Sequence, residues 1–134
     1  MKVFLDTNVL ASALATRGLC AELFESVLTG HELLASRGLL AELQRILTAK
    51  LRIPADTTAA FLTLIEANAT ILPTPAEFPA GIPDPDDAPL IAAALDGGAE
   101  CFVTGDKALL DLDSVAGMPV ITPRRFWELT RHGR

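Results

Sequence analysis

The sequence predicts an α/β protein: a three-layer α/β/α sandwich with a central, mainly parallel sheet. Three observations predict it. Short apolar runs alternate with stretches of helical periodicity along the chain. Those runs are apolar at consecutive positions, as strands covered on both faces are. The 134 residues, half of them apolar, make one domain over residues 1–134 with a core of its own.

The elements follow in order. Lys2-Val-Phe-Leu is a first strand, ending in Asp6-Thr7-Asn8. Residues 9–15 read as a helix with Thr7 or Asn8 as its cap, and Gly18 breaks it. Residues 20–29 form a second helix that Gly30 stops. Residues 32–35 are a short strand. Ser36 opens a helix with Leu39, Leu40, Leu43, Ile46 and Leu47 on one face. Pro54 ends that segment, and Asp56 caps the next helix, which carries Phe61, Leu62, Leu64 and Ile65. Ile71-Leu72 leads into a stiff, ordered loop with Pro73, Pro75, Pro79, Pro83 and Pro85. Residues 88–95 are helical up to Gly97-Gly98, and residues 101–104 are a strand. A short helical piece carries Leu109 and Leu110. Val120-Ile121 is the last strand, and Pro123 suits the first turn of a closing helix.

Composition excludes several functions. Seventeen acids against eleven bases leave a net charge of −6, so no basic field covers the molecule. One Trp, six Phe and no Tyr do not make a stacking platform for nucleic acid. Cys20 and Cys101 sit in separate apolar runs, far from His31 and His132, and read as buried thiols rather than zinc ligands. Asp6 interrupts the N-terminal apolar run, and no stretch approaches the roughly 18 residues of a membrane span. A reducing cytoplasm and no membrane are expected.

Charge is uneven. Residues 77–113 hold nine acids and one base, while residues 37–52 and 122–134 each hold four bases and one acid. An acidic centre between basic flanks suits a site that gathers cations and holds a polyanion at its rim. A solvated surface with offsetting charges reads the same way.

The acids have positions as well as number. In an open parallel sheet, ligands bind beyond the carboxyl ends of the strands. Asp6 follows the first strand directly, and Asp106 follows Phe102-Val-Thr104 after one glycine. A buried, unpaired carboxylate is costly, so two on one edge point to a positive group between them. Asp84, Asp86 and Asp87 open a helix, where one acid suffices as a cap. Glu42 lies on the flank of its helix's apolar stripe, within reach of the core edge. Clustered carboxylates without His or Cys suit Mg²⁺ or Mn²⁺, which hold phosphates and activate water.

Four segments carry a family resemblance: Val3-Phe-Leu-Asp6-Thr-Asn8-Val-Leu, Leu39-Leu-Ala-Glu42-Leu, Asp84-Pro-Asp-Asp87 with Leu90-Ile-Ala-Ala-Ala, and Phe102-Val-Thr-Gly-Asp106-Lys-Ala-Leu-Leu. In this order the chain resembles a PIN domain, and among PIN domains the small prokaryotic toxins of toxin–antitoxin pairs, similar to VapC-type ribonucleases. The resemblance implies a PIN-like sandwich and a Mg²⁺- or Mn²⁺-dependent endonuclease acting on RNA. It implies an acidic quartet of Asp6, Glu42, Asp87 and Asp106, with Asp6 and Asp87 as the most direct metal ligands. Glu42 and Asp106 would orient water or complete a second ion site. Asn8 and Thr104 match supporting polar positions. Asp84 and Asp86 are alternates for Asp87. Apart from the resemblance, Arg17, Arg37, Arg45, Lys50, Arg52, Lys107, Arg124 and Arg125 are candidates for phosphate contact, with Lys107 favoured because it adjoins Asp106. The resemblance also implies an antitoxin protein and a homodimer. Pro89 departs from the family pattern and bears on where Asp87 stands.

Two other readings compete. A phosphatase of the haloacid-dehalogenase type needs a second Asp two residues after the first, and here Asn8 stands instead. A non-catalytic partner-binding domain of the same fold would draw on the positive mean hydropathy of +0.37.

Overall fold

A computed structural model describes residues 1–132. It contains six strands: β1 (Lys2–Leu5), β2 (Glu32–Ser36), β3 (Ala69–Leu72), β4 (Cys101–Val103), β5 (Ser114–Val115) and β6 (Met118–Ile121). Their order in the sheet is β3-β2-β1-β4-β6-β5. All neighbours are parallel except β5, which pairs antiparallel with β6 at the edge. The expected mainly parallel sheet, flanked by helices, is thus the observed fold.

The helices are α1 (Thr7–Ala15), α2 (Leu19–Gly30), α3 (Arg37–Arg45), α4 (Ala55–Asn68), α5 (Ala88–Asp96), α6 (Lys107–Leu110) and α7 (Pro123–His132). A wide π-type turn over Ile46–Lys50 extends α3, and a 3₁₀ turn over Pro85–Asp87 precedes α5. α2 packs against α1 and α7, while α3 packs against α4 and α5.

The central strands are apolar because both faces are covered. Val3, Phe4, Leu5, Phe102 and Val103 are fully buried. Phe4 and Phe102 are register partners across β1 and β4, and their rings stack with centroids 5.2 Å apart. That pair fixes the two strands against each other where the chain reverses direction across the sheet. From β1 the chain adds β2 and β3 on one side; it then crosses back to place β4 on the other. The crevice at such a switch point lies beyond the carboxyl ends of β1 and β4.

Several local expectations are corrected. Asp6, not Thr7 or Asn8, caps α1, since its carboxylate accepts from the Thr7 amide. Pro54 stands at the cap of α4 and Asp56 lies inside the first turn. β4 ends at Val103, and Thr104 belongs to the following turn. β5 was not expected; two residues carry no periodicity. Arg134, part of the basic tail, lies outside the described residues.

Ser36 ends β2 and caps α3, its buried hydroxyl accepting from the Leu39 amide at 3.1 Å. This cap sets the direction of the helix that carries Glu42. Ser36→Ala is expected to cost about 1 kcal/mol of unfolding free energy, read as a lowered urea midpoint with an unchanged slope.

Candidate active site at the carboxyl edge

The site is built around one carboxylate. Asp6 leaves β1 with its amide donating to the Val103 carbonyl of β4 at 2.9 Å. Its side chain is 3% exposed. Oδ1 accepts from the Thr7 amide at 2.8 Å. Oδ2 accepts from the Thr104 hydroxyl at 2.8 Å and from the Asn8 amide at 3.2 Å. A carboxylate has about four lone-pair positions, so these three bonds leave room for one more partner. Burial pushes the Asp6 carboxyl above its ordinary range. The Thr104 hydroxyl and Thr7 amide pull it back, and Glu42 and Asp106 add to the rise.

The neighbours are tied to it. Asn8 also donates to Thr104 Oγ1 at 3.2 Å and accepts from the Gly105 amide at 2.8 Å. Thr104 Oγ1 accepts from the Asp106 amide at 3.0 Å. Asp106 in turn caps α6 by accepting from Ala108 N at 2.9 Å. The sequence Thr104-Gly-Asp106 is thereby folded back onto Asp6-Thr-Asn8. A Cβ at Gly105 would meet Asn8 Oδ1 at 3.3 Å, a tight contact to which the Asn8 side chain would have to yield by a few tenths of an ångström.

Glu42 reaches the same edge from α3. It is half-buried, and its Oε1 accepts from the Thr7 hydroxyl at 2.8 Å. Thr7 is the positioning residue that sequence reasoning missed, having been read only as a cap. Its place between Asp6 and Asn8 was the available signal.

Asp87 arrives from the proline-rich side. Asp84 caps the 3₁₀ turn, its carboxylate accepting from Asp86 N at 2.9 Å and its carbonyl from Asp87 N at 3.0 Å. Asp84 and Asp86 are exposed, while Asp87 is half-buried. Pro89 is accommodated in the first turn of α5, where an amide hydrogen has no helical partner. Partial burial, then the charges of Asp6, Asp84, Asp106 and Glu42, push the Asp87 carboxyl up to about 7. The whole expected quartet therefore interacts electrostatically around one edge. Lys107 is turned toward Asp111, 3.3 Å away on the next helical turn, and is highly exposed.

Among the described residues, no three acidic, His or Cys side chains converge as a closed metal cage would. The donors are all carboxylate oxygens, the choice of a hard cation. Such an ion is commonly held by one or two carboxylates, with waters and substrate phosphate completing its shell. The open arrangement fits that mode and not an all-protein cage.

Comparison with known proteins bears on the family and the fold. The PIN domain family profile matches residues 2–108. The chain belongs to the PIN domain family. Among solved structures, VapBC2 of Rickettsia felis, bound to a DNA fragment from its promoter, superposes with a TM-score of 0.67 at 15% identity. The match covers 91% of this chain and 98% of that one. VapC20 of Mycobacterium tuberculosis, described as a sarcin–ricin-loop-cleaving toxin, gives 0.61 at 11% identity over 87% and 98% of the chains. PAE2754 of Pyrobaculum aerophilum gives 0.63 at 18% over 99% and 90%. At these identities the likeness is one of fold. No curated protein sequence matches the chain significantly. No described helix is long and apolar enough to cross a membrane.

The raised Asp87 pKa has a signed consequence. A carboxyl at about 7 in the fold and 3.8 otherwise favours the folded state fully below pH 3.8. That contribution is lost as pH rises through 7. In EDTA, the wild type is expected to lose melting temperature between pH 5 and 8. Asp87→Asn is expected to flatten that decline; equal declines in both proteins would contradict the crowding of charge at Asp87.

Proposed function

We propose that this PIN domain protein is a Mg²⁺- or Mn²⁺-dependent endoribonuclease and the toxin of a toxin–antitoxin pair. The observation that carries the reading is the gathering of Asp6, Glu42, Asp87 and Asp106 from four separate segments at the switch-point crevice, where burial first, and then the charges of the other acids, bring Asp87 to about 7. A fold does not need this repulsion, and a divalent cation relieves it. The description of VapC20, of the same fold, as a sarcin–ricin-loop-cleaving toxin supports RNA as the substrate class. The promoter-bound VapBC2 supports an antitoxin partner. A homodimer and a cytoplasmic location go with this reading.

Asp6 and Asp87 are the ion's ligands in this proposal. Asp6 offers its remaining lone pair from a carboxylate already fixed by three hydrogen bonds. Asp87 offers a carboxylate that accepts no hydrogen bond among the described residues. Bound there, the ion supplies Lewis-acid stabilisation of charge on the phosphodiester and acidifies the attacking water. Glu42, with Oε1 held by Thr7, keeps Oε2 as the acceptor that could take a proton from the attacking water. Asp106, held by its capping bond, bounds the site on the β4 side or completes a second ion site. Asn8 and Thr104 keep Asp6 and Asp106 in register.

The test is cleavage of labelled RNA by purified protein in Mn²⁺ or Mg²⁺ and in EDTA, beside Asp6→Asn. Cuts are expected with metal only, and none in the variant. Thr7→Val, which frees Glu42 without removing an acid, is expected to slow cleavage roughly 10- to 100-fold. Full activity in Asp6→Asn refutes the reading. Absence of both cleavage and Mn²⁺-induced thermal stabilisation in the wild type would favour the non-catalytic binding module instead.

A further inference from the structure

A groove of about 390 Å³ lies between α1 and the wide turn that extends α3. It begins at Thr7 and Asn8, the side chains that hold Glu42 and Asp6, so it runs directly off the acid edge. The α1 wall bears the hydroxyls of Ser12 and Thr16. The opposite wall bears Ile46, Leu51 and Lys50. Leu51 is 44% exposed, one of few large apolar side chains left in solvent.

Lys50 is placed differently from the bases that pair. Arg37 lies 2.9 Å from Glu66, Lys107 3.3 Å from Asp111, and Arg125 3.9 Å from Glu128. Lys50 makes no ion pair among the described residues. It stands in the segment Arg37–Arg52, whose four bases and one acid give +3. The π-type winding over Ile46–Lys50 brings Ile46 and Lys50 to the same groove, and such turns recur at functional sites.

We propose that this groove seats single-stranded RNA flanking the scissile phosphate, with Lys50 contacting a backbone phosphate. The inference rests on the nuclease reading and adds the path of the strand and a residue that binds it. A phosphodiester arriving at four carboxylates is repelled by them, and an unpaired ammonium beside the cluster offsets that repulsion. A single strand presents base faces and phosphates in turn, so an exposed aliphatic wall and a cation match its two chemistries. The hydroxyls of Ser12 and Thr16 offer partners for sugar or base edges. Among the described residues, Lys50 is the one charged side chain lining the groove, and it complements a polyanion; the α1 wall adds only the small Ala11 and Ala15 beside its hydroxyls, whereas a docked peptide helix calls for large apolar side chains on both walls.

The experiment is fluorescence anisotropy of a labelled, mixed-sequence RNA oligonucleotide in Ca²⁺, across a salt series, on the full chain. Lys50→Ala is expected to weaken binding and lower the slope of log K against log salt by about 0.7, the value of one single-strand phosphate contact. Lys2→Ala, which removes the same charge from the opposite edge of the sheet, is expected to leave both unchanged. Ala15→Trp, filling the groove from an exposed position on α1, is expected to weaken binding with its melting temperature preserved. Wild-type binding and slope in both Lys50→Ala and Ala15→Trp overturn the groove while leaving the nuclease reading intact. So does loss of self-association or of a protein partner in Ala15→Trp with RNA binding unchanged. A wild type that neither binds nor cleaves RNA overturns both.

Discussion

Everything at the carboxyl edge depends on keeping the Asp6 carboxylate ionised inside the protein. Burial opposes the charge, and an uncompensated buried carboxylate would cost several kcal/mol. Three donors offset that cost: the Thr7 amide, the Asn8 side chain and the Thr104 hydroxyl. They come from the start of α1 and the end of β4. The bonds that hold the charge therefore also hold the two halves of the sheet together across the switch point. The same requirement explains Asn8. An ionised aspartate there could accept from the Gly105 amide but could donate neither to Asp6 nor to the Thr104 hydroxyl oxygen, whose own hydrogen goes to Asp6. The residue that excludes a dehalogenase-type acid is the residue that this arrangement needs.

The site opposes the stability of the fold that carries it. Asp87 is raised by four other carboxylates as well as by burial. A protein selected for stability alone would have replaced one of them, and sites that keep such repulsion exchange stability for binding capacity. A cation that bound the folded state and not the unfolded one would relieve it. The repulsion also explains why a basic side chain must stand beside the cluster rather than within it. Lys107, next to Asp106 in sequence, is captured by Asp111 one turn on, whereas Lys50 is carried to the rim by a different element.

Much of this was legible in the sequence, and the reasons are specific. β1 and β4 show as continuous apolar runs because both of their faces are buried. Asp6 and Asp106 show because polar residues after such runs must lie at a sheet edge. Glu42 shows only as a flank position; that it reaches the edge depends on α3 packing against α1, which brings Thr7 to it. The cap of α1 was misread because three adjacent residues, Asp6, Thr7 and Asn8, all have capping side chains. The groove was not legible at all. It needs the winding of Ile46–Lys50 as π rather than α, and no periodicity distinguishes the two over five residues.

Asp6 and Asp87 are held in place by opposite means, and this decides how each behaves. Asp6 is fixed by hydrogen bonds to its charged form, which restrain the rise in its pKa. Asp87 is held through its backbone, in a turn that the Asp84 side chain caps. Pro83 and Pro85 limit the loop, Asp84 closes the turn, and the carboxylate itself has no donor among the described residues. Proline stiffness reduces the entropy of the unfolded chain without occupying the side chain. The outcome is one carboxylate that is pre-organised and largely satisfied, and one that is pre-organised and unsatisfied. In the proposed site, a ligand ion would meet a fixed anchor on the β1 side and a vacant acceptor on the α5 side. Protons compete for the second more than for the first, so cation affinity at this edge should follow the ionisation of Asp87 and rise through pH 7.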